Sequence, residues 1–83
     1  MLTSSLLAIS IHKMVVYSDI PTRELADIVG KPYPTLMREA NPNDHGAKMG
    51  IETLMDLMLV TGDYSPLEAM GKILGVRFVR TDA

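Results

Sequence analysis

The chain has 83 residues, of which 47% are hydrophobic and 5% aromatic, with no Cys or Trp and a formal net charge of −2. That length bounds one domain with a modest core, the apolar content excludes intrinsic disorder, and the missing cysteine excludes a disulfide framework, a thiolate nucleophile and a cysteine zinc site. No stretch approaches the roughly 18 apolar residues of a membrane span, so the expectation is a single cytoplasmic domain over residues 1–83, its aliphatic core filled in part by seven Met.

In chain order, "LLAIS" could open a secretory leader, but Thr3, Ser4 and Ser5 precede it and the basic His12 and Lys13 follow it, the reverse of a leader's charge order. It reads instead as a helix capped by Ser4 or Ser5 and running to about Tyr17, with Leu7, Ile11, Met14 and Val15 on one face. Ser18-Asp19-Ile20-Pro21 breaks it. Thr22 is a good cap for a two-turn helix whose buried stripe is Leu25, Ile28 and Val29, and Gly30 stands where a left-handed end is wanted.

Lys31-Pro32-Tyr33-Pro34 then stops one helix and starts another, because proline lacks the interior N–H and biases its predecessor away from helix. The third helix runs from Tyr33 or Pro34 to about Ala40, and the polar stretch from Asn41 to Gly50 is a loop. A fourth helix carries Ile51, Leu54, Met55, Met58 and Leu59 and ends at Thr61-Gly62-Asp63. Ser65 caps a fifth, with Pro66 at its first position and Leu67, Met70, Ile73 and Leu74 as its stripe. The tail, residues 76–83, has a weak period of two suited to a short strand or an extended arm. The fold class is therefore all-α, a compact bundle of about five helices, with Leu25, Ala26, Val29, Leu36, Leu54, Leu59 and Leu74 expected in the core.

The second and third helices, joined through Gly30, have the form of a helix-turn-helix, whose second helix can enter a major groove. Taken alone, that pattern serves a DNA reader and a plain helical hairpin equally well. The segments "ELADIVGKPYPTLMREANPND" and "IETLMDLMLVTGDYSPLEAMGKILG" together resemble the temperate-phage CII-type regulatory proteins. There a helix-turn-helix ends in Asn-Pro-Asn and a later helix closes in "TGDYS". The resemblance spans roughly Ile11 to Gly75 and implies a lambda-repressor-like helical domain that binds DNA in the control of lysogeny genes. It makes Leu25, Ala26, Gly30 and Leu36 scaffold, and Tyr33, Pro34, Thr35 and Arg38 the exposed start and face of the recognition helix. The chain departs from the family pattern in Pro32-Tyr33-Pro34 and in Ala40, where a large apolar residue is usual, which predicts a looser core there.

The DNA-contacting set is then Arg23, Lys31, Tyr33, Pro34, Thr35 and Arg38. Tyr33 and Thr35 suit a thymine methyl or a phosphate, and Arg38 suits guanine acceptors or the backbone. Charge argues the other way, since residues 1–50 hold five basic and five acidic residues and residues 51–83 three and five. A positive strip through Arg23, Lys31, Arg38 and Lys48 requires Glu24, Asp27 and Glu39 to turn away.

His12 and His45 are far apart and no carboxylates have ligand spacing, so neither metal nor cofactor is expected, and no catalytic motif supports an enzyme. The expected partners are double-stranded DNA and a second or further copy of the chain, joined through helix five and the "VRFVR" tail, with RNA polymerase added if the regulator is an activator. The alternative is an acidic interaction module that binds a protein through the Met-rich helices four and five and does not bind DNA.

Overall fold

Five helices and no strand make up residues 4–81, which the computed structural model describes: α1 (Ser4–Val16), α2 (Thr22–Val29), α3 (Tyr33–Glu39), α4 (Ile51–Thr61) and α5 (Ser65–Leu74). Ser4 and Ser5, one of which was expected to cap α1, are both helical, and their side chains and the last two tail positions, Asp82 and Ala83, lie outside the described residues. From Val76 to Thr81 the tail is in neither helix nor strand, so the strand that was one expectation does not form there. No helix among the described residues is long and apolar enough to cross a membrane.

α1 ends where Ser18 Oγ accepts the Ile20 N–H at 3.0 Å, a local turn that competes with further helix. The cap of α2 is Pro21 and not Thr22, which is the first helical residue. Its hydroxyl turns back to donate to the Val15 carbonyl at 3.3 Å, satisfying one of the orphan acceptors at the end of α1. Likewise Ser65 does not cap α5 but opens it, with both its N–H and its hydroxyl donating to Asp63 Oδ1.

One buried cluster joins Met14 and Val15 of α1, Leu25 and Ala26 of α2, Leu36 and Ala40 at α3, and Leu54, Leu57 and Met58 of α4. α1 packs most broadly on α5 and also meets α4 and α2, while α2 meets α3 and α4. α3 thus rides on α2, anchored by a fully buried Leu36, whose burial contributes about 1.5–3 kcal/mol. Ala40 does not leave the core loose, since it is 2% exposed and its carbonyl accepts from His12 Nδ1 of α1 at 3.3 Å.

Three expected core residues are not in the core: Leu59 is 69% exposed, Leu74 68% and Ile28 51%. A helix turns about 100° per residue, so the arc set by Leu54, Leu57 and Met58 places Leu59 on the opposite side of α4. Ile28 falls beyond the arc of Leu25 and Ala26 for the same reason. Leu74 is the last residue of α5, where Gly75 in the left-handed region (φ 74°) turns the chain back so that the Val76 N–H reaches Gly71 O and not the Leu74 side. Val29 is partly buried against the cluster, and Leu57, fully buried, was not expected.

Candidate nucleic-acid interface

Residues 30–32 connect α2 to α3, and each has a defined task. Gly30 adopts φ 73°, a conformation that costs other L-residues energy, and lets the Lys31 N–H close on Ala26 O at 2.9 Å. Pro32 (φ −59°, ψ 140°) then caps α3 in the extended region that precedes Tyr33-Pro34. Its carbonyl accepts the Leu36 N–H at 3.0 Å, so the two prolines start α3 without losing an interior bond.

Leu36 points inward, and the 100° step then sends Pro34, Thr35 and Arg38 outward, where all three are exposed. Tyr33 is half-buried against the core, with the Arg23 guanidinium 4.1 Å from its ring centroid. This cation–π contact joins α2 to α3, and among the described residues no carboxylate comes within 4.0 Å of the Arg23 guanidinium. Of the six residues singled out in the sequence, Pro34, Thr35 and Arg38 thus share the outer side of α3, and Arg23 at the start of α2 meets Tyr33 at the first position of α3.

The other two cations of the expected DNA-contacting set, Lys31 and Arg38, are paired. Lys31 Nζ donates to both carboxylate oxygens of Glu39 at 2.9 Å, and Arg38 Nε donates to Asp44 Oδ2 at 2.9 Å. The condition that Glu39 turn away is not met: its side chain is 12% exposed and sits on Lys31. Glu24 and Asp27 are exposed, so the surface around α3 is a mosaic of both signs and not a continuous positive strip. Asp44 is fixed in turn by the Gly46 N–H on its Oδ1 at 3.0 Å and by its own N–H on Asn41 O at 3.1 Å. The hydrogen bond from Arg38, followed by that from Gly46, holds the Asp44 carboxyl below its ordinary range, and the same contact raises Arg38.

Glu39, at the end of α3, was named from the sequence only as a charge that must turn away, and the loop residue Asp44 was not identified as part of this surface. The separations of Asp44 from Arg38 and of Glu39 from Lys31, six and eight residues, are not helical spacings. The motif Asn-Pro-Asn-Asp was the available signal, since Asn41 Oδ1 accepts the Asn43 N–H at 2.9 Å and curls the loop back under α3.

Elsewhere, an open cleft of about 390 Å³ lies between the α1–α2 connection and the end of α4, and its ionisable carboxylates, Asp19 and Asp63, have no basic partner in the lining. Among the described residues no three His, Asp or Glu side chains converge to hold a metal ion.

A protein-family model described as phage regulatory protein CII (CP76) matches residues 7–83. No curated protein and no solved structure matches the chain.

Proposed function

This chain belongs to the phage regulatory protein CII family, and we propose that within that regulatory role it is a cytoplasmic, sequence-specific DNA-binding regulator of transcription whose α2–α3 pair acts as a helix-turn-helix. The observation that carries the reading is the outward face of Pro34, Thr35 and Arg38 on a helix seated by Leu36. A short helix with small and planar polar groups outward, held from behind by one apolar anchor, is what the major groove admits.

Tyr33 and Thr35 supply methyl and phosphate contacts, Pro34 keeps the approach rigid, and Arg38 reads base acceptors or the backbone. Arg23, held on Tyr33, and Lys31 attach to phosphates beside the groove. Arg38 reaches DNA by exchanging one acceptor for another: phosphate or guanine oxygen replaces Asp44 Oδ2. Because the exposed ion pair is weak in water, the exchange costs little, and the loop keeps the guanidinium extended meanwhile.

With few phosphate contacts per domain, useful specificity takes two or more copies on half-sites about one turn of DNA apart. Control of lysogeny, and contact with RNA polymerase if the protein activates, are part of this proposed reading. No catalytic step is assigned.

The test is Arg38→Ala. Arg38 is exposed and remote from the core, so the variant should melt like the parent and lose specific DNA affinity. Early melting with unchanged affinity per folded molecule would make Arg38 structural. The exposed apolar side chains of α4 favour a second reading, a protein-binding module without DNA affinity, and under it neither parent nor variant selects a DNA sequence.

A further inference from the structure

Two apolar surfaces are left uncovered, and they carry opposite charge. On α4, Ile51 (70% exposed), Met55 (53%) and Leu59 (69%) recur at four-residue steps and form one stripe. Exposed Glu52 and Asp56 flank that stripe, and α4 contains no basic residue. In the tail, Val76 (53%), Phe78 (49%) and Val79 (76%) are also exposed. There the flanking charges are Arg77 and Arg80, with no acidic residue in the segment 76–81.

The tail is placed by its own chain. The Val76 N–H donates to Gly71 O at 2.9 Å, and the Phe78 ring lies over Gly71, where an added Cβ would stand 3.3 Å from the ring and 2.7 Å from Val76 O. Gly71 thus fixes the base of the tail on α5, and the α4 stripe of the same chain stays bare.

We propose that the α4 stripe of one copy seats the tail, residues 76–80, of a second copy, and that the exchange is reciprocal. Each subunit then contributes both a stripe and a tail. Six partly exposed apolar side chains per subunit enter the contact, and with the charged stems beside them the area comes to the order of ~800 Å² per partner, the size of a specific interface. Glu52 and Asp56 lie one helical turn apart, a spacing that brackets a single guanidinium such as that of Arg77. Two α4 stripes facing each other would instead bring like charges together. A reciprocal exchange closes on itself as a two-fold dimer and leaves no open end.

The test needs no DNA, so its outcome is independent of the role assigned to α3. Sedimentation of the full chain at micromolar concentration should show a dimer. Met55→Lys should weaken association at least tenfold, and Arg77→Glu several-fold, with thermal melts unchanged at concentrations too low for a dimer, because both side chains are exposed on the single chain. Glu52→Arg with Asp56→Arg should weaken it too, and adding Arg77→Glu to that pair should restore it to near the parent value. A monomeric parent, or a dimer indifferent to Met55→Lys, overturns the proposal. A dimer broken by Met55→Lys but indifferent to Arg77→Glu, with no rescue by the charge exchange, also overturns it by putting something other than the tail on α4.

Discussion

Arg38 Nε lies 2.9 Å from Asp44 Oδ2, so the single cation of α3 is held by the loop that follows its own helix. The tie sets the orientation of Arg38 and lowers the free positive charge of the surface at the same time. Asp44→Asn removes both at once while sparing the loop, because an amide oxygen still accepts the Gly46 N–H whereas the amide NH2 in place of Oδ2 cannot accept from Arg38. The variant should bind any duplex more tightly, with a salt dependence steeper by about one phosphate contact, and should melt close to the parent. Fluorescence anisotropy across a salt series measures it; an unchanged slope would mean that Asp44 does not compete with DNA for Arg38.

The same pair has a signature in acid. Arg38 and Gly46 hold the Asp44 carboxyl below its ordinary value of 3.8, so protons bind more readily to the unfolded chain. Whatever the pair adds to stability is fully present above the unfolded value and is lost as pH falls through the lowered, folded one. An NMR titration of the Asp44 carboxyl carbon should give a midpoint under 3.8, and Arg38→Ala should move it upward. A midpoint that ignores the substitution would assign the shift to the loop backbone alone.

Leu57 is fully buried while Leu59 is 69% exposed, and paired alanine substitutions check that register. Leu57→Ala should cost about 2–5 kcal/mol, a large part of the ~4–12 kcal/mol that a domain of 83 residues has. Leu59→Ala, measured at concentrations too low for the chain to dimerise, should change stability by less than about 0.5 kcal/mol. Urea denaturation decides between them, and equal losses would contradict the burial of the one and the exposure of the other.

What could be read from the sequence was its punctuation. Gly30, Pro32 and Pro34 restrict the backbone in ways that hardly depend on the rest of the fold, so they placed the α2–α3 connection and with it Leu25, Ala26 and Leu36. The register of α4 was not legible. From Ile51 to Val60 it is apolar nearly all round, and periodicity cannot choose Leu57 over Leu59 without the neighbouring helices. The ion pairs escaped for a related reason: Lys31–Glu39 depends on how α3 lies against the α2–α3 connection and Arg38–Asp44 on how the 41–46 loop returns, which no spacing rule encodes.

The central claim is that the outer face of α3 reads DNA sequence, and the most direct test is selection from a random duplex pool with the purified full chain, run beside Thr35→Ala with Arg38→Ala. Both positions are exposed, so the double variant should remain folded. The parent should enrich a short motif repeated about 10 base pairs apart, and the variant should lose or alter that motif. A folded parent that enriches no sequence, or a double variant that enriches the same one, would contradict the assignment of α3 as the recognition helix.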